Sequence, residues 1–182
     1  GSLPGKNSQW GILPGWLENV TLEVAQQYLT KSLGNCYACP IRCFNLAEVK
    51  EGRFAGLRIS TATMNHPIAQ FGARLAMPNL PLIWKCKELC HTLGMDTGST
   101  AGVLAFAMEL YERGIITQAD TGGLKLAWGN EDAVLEMLEK IALRQGFGDV
   151  LADGAALAAK KIGKDAEKYA LTIKGMEMIG SD

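Results

Sequence analysis

Cys36, Cys39 and Cys43 put three thiols within eight residues, in the spacing C-x2-C-x3-C, with Pro40 among them. Proline gives no N–H and clashes with a preceding helical turn, so this stretch reads as an open loop. Three thiols converging from one loop suit a metal ion or an iron–sulfur cluster. A disulfide framework instead uses cysteines in pairs, spread through a small secreted chain. The five cysteines are an odd number, so at least one thiol lacks an intrachain partner, and a reducing cytoplasm is the expected compartment. Three ligands are still one short of the four that such centres usually take.

Several readings of the loop compete. The thiols can be small buried hydrophobes, as cysteine often is. They can hold zinc, with Cys86, Cys90, His66 or His91 as the fourth ligand, although structural zinc commonly uses two separated pairs. They can hold an iron–sulfur cluster completed by a distant cysteine, which fits a single triplet better, with Arg42 offsetting the cluster's charge. Cys86 and Cys90 sit four residues apart beside Trp84 and Leu89, the spacing of a core stripe on a helix. Glu88 and His91 form an E-x-x-H pair on adjacent turns, a pattern common by chance, so a metal role there is the minor reading.

The rest of the chain is predominantly helical in pattern. Residues 1–20, rich in Gly, Pro and Trp, read as an irregular leading segment. Thr21 is placed to cap a helix to about Leu33, stopped by Gly34. Residues 44–60 carry the clearest β signal, two short runs about Lys50-Glu51-Gly52, and predict a hairpin. Residues 61–81 read as loops around a short helical piece. Helices are then predicted over 82–93, 99–113, 131–145 (capped by Asn130) and from Asp149 or Val150 to Ile162. A short turn at Asp165 and an extended stretch over 170–173 follow. The fold class is mainly α, a helical bundle with a small β-hairpin near residues 44–60.

Composition excludes some partners. Of 182 residues, 48% are hydrophobic, enough for one sizeable core or two small ones. Eighteen Lys and Arg against 19 Asp and Glu are interleaved without a basic face, which argues against nucleic acid. The longest apolar runs, such as 101–110, are too short to span a bilayer. No secretory leader is visible, and the Gly1-Ser2 start without Met reads as an excised piece of a longer protein.

A second motif, Gly94-Met95-Asp96-Thr97-Gly98-Ser99-Thr100-Ala101-Gly102, feeds a Gly/Ser/Thr-rich turn into a long apolar helix. Unpaired N–H groups at such a terminus suit an anion or the polar edge of a cofactor. Asp96, Ser99 or Thr100 can equally be capping residues.

Together and in this order, the two motifs resemble the tungsten-containing aldehyde ferredoxin oxidoreductase family. The matching residues are Cys36, Cys39, Pro40 and Cys43, then Leu93-Gly94-Met95-Asp96-Thr97, then the helix Ala105 to Ile116. Further matches are Leu126 to Asn130, Ile141 to Arg144, Gly148 to Gly154, and Lys174-Gly175-Met176-Glu177-Met178. The likeness covers nearly the whole chain. Departures are Gly98, where many members are apolar, His91, where Asn is frequent, and Thr100, at a second pterin contact that is apolar in some members.

The resemblance implies an enzyme that oxidises an aldehyde or related carbonyl to the acid at a tungsten (or molybdenum) bis-pterin. Electrons would leave through a [4Fe–4S] cluster to ferredoxin. Cys36, Cys39 and Cys43 would ligate the cluster and Asp96 would contact the pterin; the family's inter-subunit iron site is not carried onto Glu88 and His91. Residues 1–182 would be the middle domain, lacking the N-terminal pterin-cradle domain and the C-terminal domain that carries the fourth cysteine. The piece alone is then expected to be inactive, with its centre incomplete. A homo-oligomer is compatible with this reading. The rival expectation is a non-enzymatic zinc- or iron–sulfur-binding helical module for electron transfer or interaction.

Overall fold

The computed structural model describes residues 5–11, 13–34, 37–41, 44–60 and 65–178. Its centre is helix α5, Thr97–Glu112, in which every residue from Thr100 to Leu110 is buried. A helix apolar on all sides has no face for solvent and must be enclosed. It is enclosed by α4 (Leu80–Leu93), α6 (Glu131–Ala142), α8 (Ala155–Ile162) and a π-helical turn, Ile68–Ala73, that continues the short α3 (Asn65–Pro67). α6 shows the contrasting, one-sided pattern. Its Ala133, Val134, Met137, Leu138 and Ile141 are buried, while Glu136 and Glu139 face solvent.

The helix ends follow local chemistry. Asn79, Asp96 and Asn130 each accept the N–H three residues on, from Leu82, Ser99 and Ala133. Gly94, at φ 72°, ends α4; its N–H reaches His91 O at 3.4 Å and the Met95 N–H reaches Cys90 O at 2.8 Å. That pair of bonds is the Schellman arrangement, which needs the left-handed conformation glycine adopts freely.

The predicted hairpin is present and belongs to a larger sheet. Strands β1 (Leu29–Gly34), β2 (Phe44–Glu48) and β3 (Arg58–Ser60) pair antiparallel in that order, with Leu29 opposite Ala47 and Ala47 opposite Ile59. The helix expected over 21–33 therefore stops early. Thr21 caps it as expected, but α2 covers only Leu22–Gln26. Beyond it, Tyr28 O accepts the Glu48 N–H at 2.9 Å and Thr30 Oγ1 donates to Leu46 O at 3.1 Å. Pairing with a neighbouring strand outweighs the helical spacing of this short segment.

Two further differences bear on the site. The single helix expected over 149–162 is broken into α7 (Phe147–Leu151) and α8, with Gly154 at φ 89° between them. The extended stretch at 170–173 is half of a hairpin: β4 (Thr172–Ile173) pairs with β5 (Met176–Glu177). Its turn residues, Lys174 and Gly175, both have positive φ, 53° and 85°, as a two-residue type I′ turn requires. In the leading segment, Gly5 bridges Trp10 and α1 covers Trp16–Asn19. No described helix is long and apolar enough to cross a membrane.

Candidate functional site

At the start of α5 the structure opens into a cleft of about 400 Å³. Its lining comes from three segments far apart in the chain: residues 94–103, 151–154 and 175–177, with Ile141 beneath. Each segment belongs to a motif already singled out in the sequence. Their convergence on one cleft is the new fact.

Asp96 stands at the helix terminus. Its Oδ2 accepts the Ser99 N–H at 2.7 Å, and its backbone carbonyl accepts the Thr100 hydroxyl at 2.5 Å. Asp96 is therefore a true N-cap, as one sequence reading held, yet the residue is solvent-exposed and lines the cleft. Thr100 is buried and spends its hydroxyl on the helix. His66 comes near the same terminus: a Cβ added to Gly98 would lie 3.3 Å from Asp96 Oδ2 and 3.6 Å from His66 Nε2.

The second side is the α7–α8 break. Arg144 donates to Asp149 at 2.9 Å and to Asp153, and Lys161 Nζ lies 2.9 Å from the other Asp153 oxygen. The hydrogen bond from Arg144, then that from Lys161, holds the Asp153 carboxyl down to about 2. The third side is the β4–β5 hairpin. Glu177 Oε1 accepts the Ala155 N–H at 2.6 Å, at the first residue of α8.

From the end of the β4–β5 hairpin a buried polar chain, with no motif of its own in the sequence, runs through Arg74 and Asn7 to Glu109. Arg74 Nη1 donates to Met178 O at 2.6 Å and to Gln70 Oε1 at 3.3 Å. Its Nε and Nη2 each lie 3.4 Å from Asn7 Oδ1. Asn7 in turn reaches Glu109, which also receives Arg113 Nε and Nη2 at 2.9 and 2.8 Å. Burial pulls Arg74 below the usual arginine range, and the nearby Glu177 charge opposes that. The available signal was a charge inside an apolar run: Arg74 in Phe71-Gly72-Ala73-Arg74-Leu75, and Glu109 in Ala107-Met108-Glu109-Leu110. Such residues are rarely buried unless paired.

The cysteines divide. Cys39 is half-buried in the loop between exposed Tyr37 and Ile41, while Cys36 and Cys43 lie outside the described residues. Cys86 and Cys90 are fully buried in the core around α4, where burial pushes both thiols up, Cys90 to about 12. This is the core stripe their spacing suggested. Glu88 is engaged with Lys85 at 2.7 Å and His91 is exposed. Among the described residues no three His, Cys, Asp or Glu side chains group to hold a metal.

Comparison with known proteins shows the family of the chain. The family described as aldehyde ferredoxin oxidoreductase, domains 2 and 3, matches residues 1–182. The tungsten-containing aldehyde ferredoxin oxidoreductase of Pyrococcus furiosus is 35% identical over 183 residues, covering 100% of this chain and 29% of that protein. The protein of the same description from Thermococcus kodakarensis is 32% identical, again over 100% of this chain and 29% of its own length. An aliphatic sulfonate oxidoreductase, WOR-like subunit, of Pyrococcus furiosus is 37% identical over 77% of this chain and 23% of its own. Among solved structures, the active site complex BamBC of benzoyl coenzyme A reductase, in complex with 1,5-dienoyl-CoA, superposes with a TM-score of 0.79 at 27% identity. That superposition covers 98% of this chain and 26% of that one. The chain thus spans under a third of the length of the relatives it matches. With the family match running from first residue to last and the motif segments meeting at one cleft, the chain belongs to the aldehyde ferredoxin oxidoreductase family of oxidoreductases.

Proposed function

We propose that this chain is the middle portion of a cytoplasmic oxidoreductase that converts aldehydes, or related carbonyl compounds, to carboxylic acids at a tungsten (or molybdenum) bis-pterin and passes the electrons through a [4Fe–4S] cluster to ferredoxin. The observation that carries the reading is the cleft at the N-terminus of α5, where Asp96 meets two other motif segments. The acceptor at this terminus suits a pterin. Such a ring system presents a row of N–H donors along one edge, and an ionised carboxylate is an acceptor only. Asp96 lines the cleft and is exposed there, whereas the Asp153 and Glu177 carboxylates in the same wall are engaged by Arg144 and Lys161 and by the Ala155 N–H. Asp96 would accept from the pterin edge while its Oδ2 keeps the helix cap. When bound, the metal centre supplies the two-electron oxidation of the carbonyl carbon.

In the same reading Cys36, Cys39 and Cys43 supply three thiolates to the cluster. The burial of Cys86 and Cys90, with thiols pushed up by desolvation, supports a fourth ligand from elsewhere in the longer polypeptide. The N-terminal pterin cradle and the C-terminal domain lie outside this piece, which has no turnover by itself. Relatives named for an aldehyde, an aliphatic sulfonate and benzoyl coenzyme A share this region. That range supports a role as common scaffold, with substrate choice made elsewhere.

Metal and pterin analysis of the anaerobically purified full-length protein tests the proposal. Tungsten or molybdenum with about four irons per polypeptide is the expected result; stoichiometric zinc alone would sink it. Asp96→Asn separates the two roles of that residue. The amide oxygen still caps α5, so stability should hold within about 0.5 kcal/mol, while bound pterin falls. Undiminished pterin in this variant would remove Asp96 from the site.

A further inference from the structure

We infer that Glu177 and Arg74 are a positioning pair that locks the β4–β5 hairpin onto α5 and α8 and so sets the width of the cleft. The inference rests on the reading that this cleft receives the pterin, and it assigns a role to residues that touch the hairpin rather than the chemistry.

A hairpin of two residues per strand does not hold itself in place. Ile173 and Met176 are exposed, so little apolar burial fixes it at its turn. What fixes it is polar and specific. Glu177 Oε1 takes the Ala155 N–H at 2.6 Å, one of the donors that the start of α8 leaves without a helical partner. One residue on, Arg74 Nη1 donates to Met178 O at 2.6 Å. The two anchors grip adjacent residues of the same strand end.

Two glycines make room for this. A Cβ on Gly102 of α5 would come within 2.7 Å of Glu177 Cβ and 3.2 Å of Arg74 Nη1. A Cβ on Gly154 would come within 2.8 Å of Glu177 Oε1. Helices α5 and α8 thus both present a bare backbone where one carboxylate side chain passes between them. Arg74 is in turn held from behind. Its N–H bonds Ala69 O at 3.0 Å, the i to i+5 bond of the π-helical turn, and Gln70 and Asn7 hold the guanidinium. Only 3% of Arg74 is exposed, so its aim is set by these partners.

The test uses the full-length protein with hydrogen exchange over residues 171–178 and the amount of pterin, released and oxidised to its fluorescent form. Glu177→Ala and Gly102→Ala are expected to speed hairpin exchange about fivefold to tenfold and to lower bound pterin, with α6 unchanged. Arg74→Lys, which keeps the charge without the planar fork, should loosen the hairpin as well. Glu177→Gln retains an acceptor for the Ala155 N–H, so its hairpin exchange should stay within about twofold of the parent. Parental exchange in Glu177→Ala or Gly102→Ala overturns the pairing, as does equal loss in the Gln and Ala variants. A parent protein that carries no pterin, yet shows the expected exchange pattern, defeats the cofactor reading and leaves the hairpin lock standing.

Discussion

Asn7 Nδ2 donates to Glu109 Oε2 at 2.8 Å, joining two buried side chains that are 102 residues apart. This bond explains how an acidic residue survives on the most enclosed helix of the fold. Glu109 is buried, and both its oxygens are met by protein donors: Oε2 by Asn7, Oε1 by Arg113. The same Asn7 receives Arg74 on its oxygen, so one amide links a buried anion to a buried cation. The leading segment is thereby tied to the body of the protein, and its backbone adds bonds from Lys6 N to Ala73 O and from Asn7 N to Arg74 O.

Asn7→Ala should accordingly destabilise the chain by about 1–3 kcal/mol, because it leaves buried polar groups without partners. Asn7→Asp should also cost stability, since it removes the donor to Glu109 and sets a second carboxylate against it, with the Arg74 charge offsetting part of the loss. Urea unfolding measures both. An Ala variant as stable as the parent would show that the link carries little weight.

Gly148 lets α7 lie directly on the end of α6. A Cβ there would overlap the Lys140 carbonyl and come within 2.6 Å of Ile141 N, all of it backbone that cannot turn aside. Gly148→Ala should cost about 3 kcal/mol or more. Gly122→Ala, at φ 71° with nothing within 4 Å of the added carbon, should cost only about 1–2 kcal/mol through backbone strain. The comparison of thermal midpoints tests packing against strain.

Cys86 and Cys90 should resist alkylation in the folded chain at pH 8 and react once it is unfolded in urea. The thiolate is the reactive form, and burial pushes both thiols far above that pH. Peptide mass spectrometry after iodoacetamide reads the outcome. In the full-length protein, Cys86→Ala should leave bound iron unchanged, whereas Cys39→Ala should lower it.

Asp153 should make the rim of the cleft sensitive to acid. Its folded-state carboxyl is held down to about 2 by Arg144 and then Lys161, below the roughly 3.9 of an unfolded aspartate. A depressed value stabilises the fold above the unfolded value, and that contribution is lost as pH falls from about 4 towards 2. Urea midpoints between pH 6 and pH 2.5 should therefore fall less for Asp153→Asn than for the parent. High salt should narrow the difference, since all three side chains are at the surface.

Much of the helical framework was legible without coordinates. α4 was expected over 82–93 and runs Leu80–Leu93; α5 was expected over 99–113 and runs Thr97–Glu112. Asn130 and Thr21 cap where their chemistry said they would. These signals are local, carried by residues within one turn of the bond they make. Strand β1 carries no local signature because its partner, β2, lies across the cysteine loop, while Leu22, Ala25 and Leu29 have acceptable helical spacing. The break before α8 is masked in the sequence because Gly154 adjoins an alanine-rich stretch that favours helix.

Of the candidate site, the sequence alone determined the chemistry on offer: three closely spaced thiols, an aspartate at the start of an apolar helix, and two glycine-bearing motifs further along. It determined these because side-chain type and short spacing are properties of the chain itself. Only the tertiary structure decided that Asp96, Gly154 and Glu177 border one cleft, and that Asn7, Arg74 and Glu109 form one buried chain. Those relations join residues up to 102 positions apart. They come from how helices exclude water around α5, and no local pattern encodes which distant backbone will fill the notch a glycine leaves.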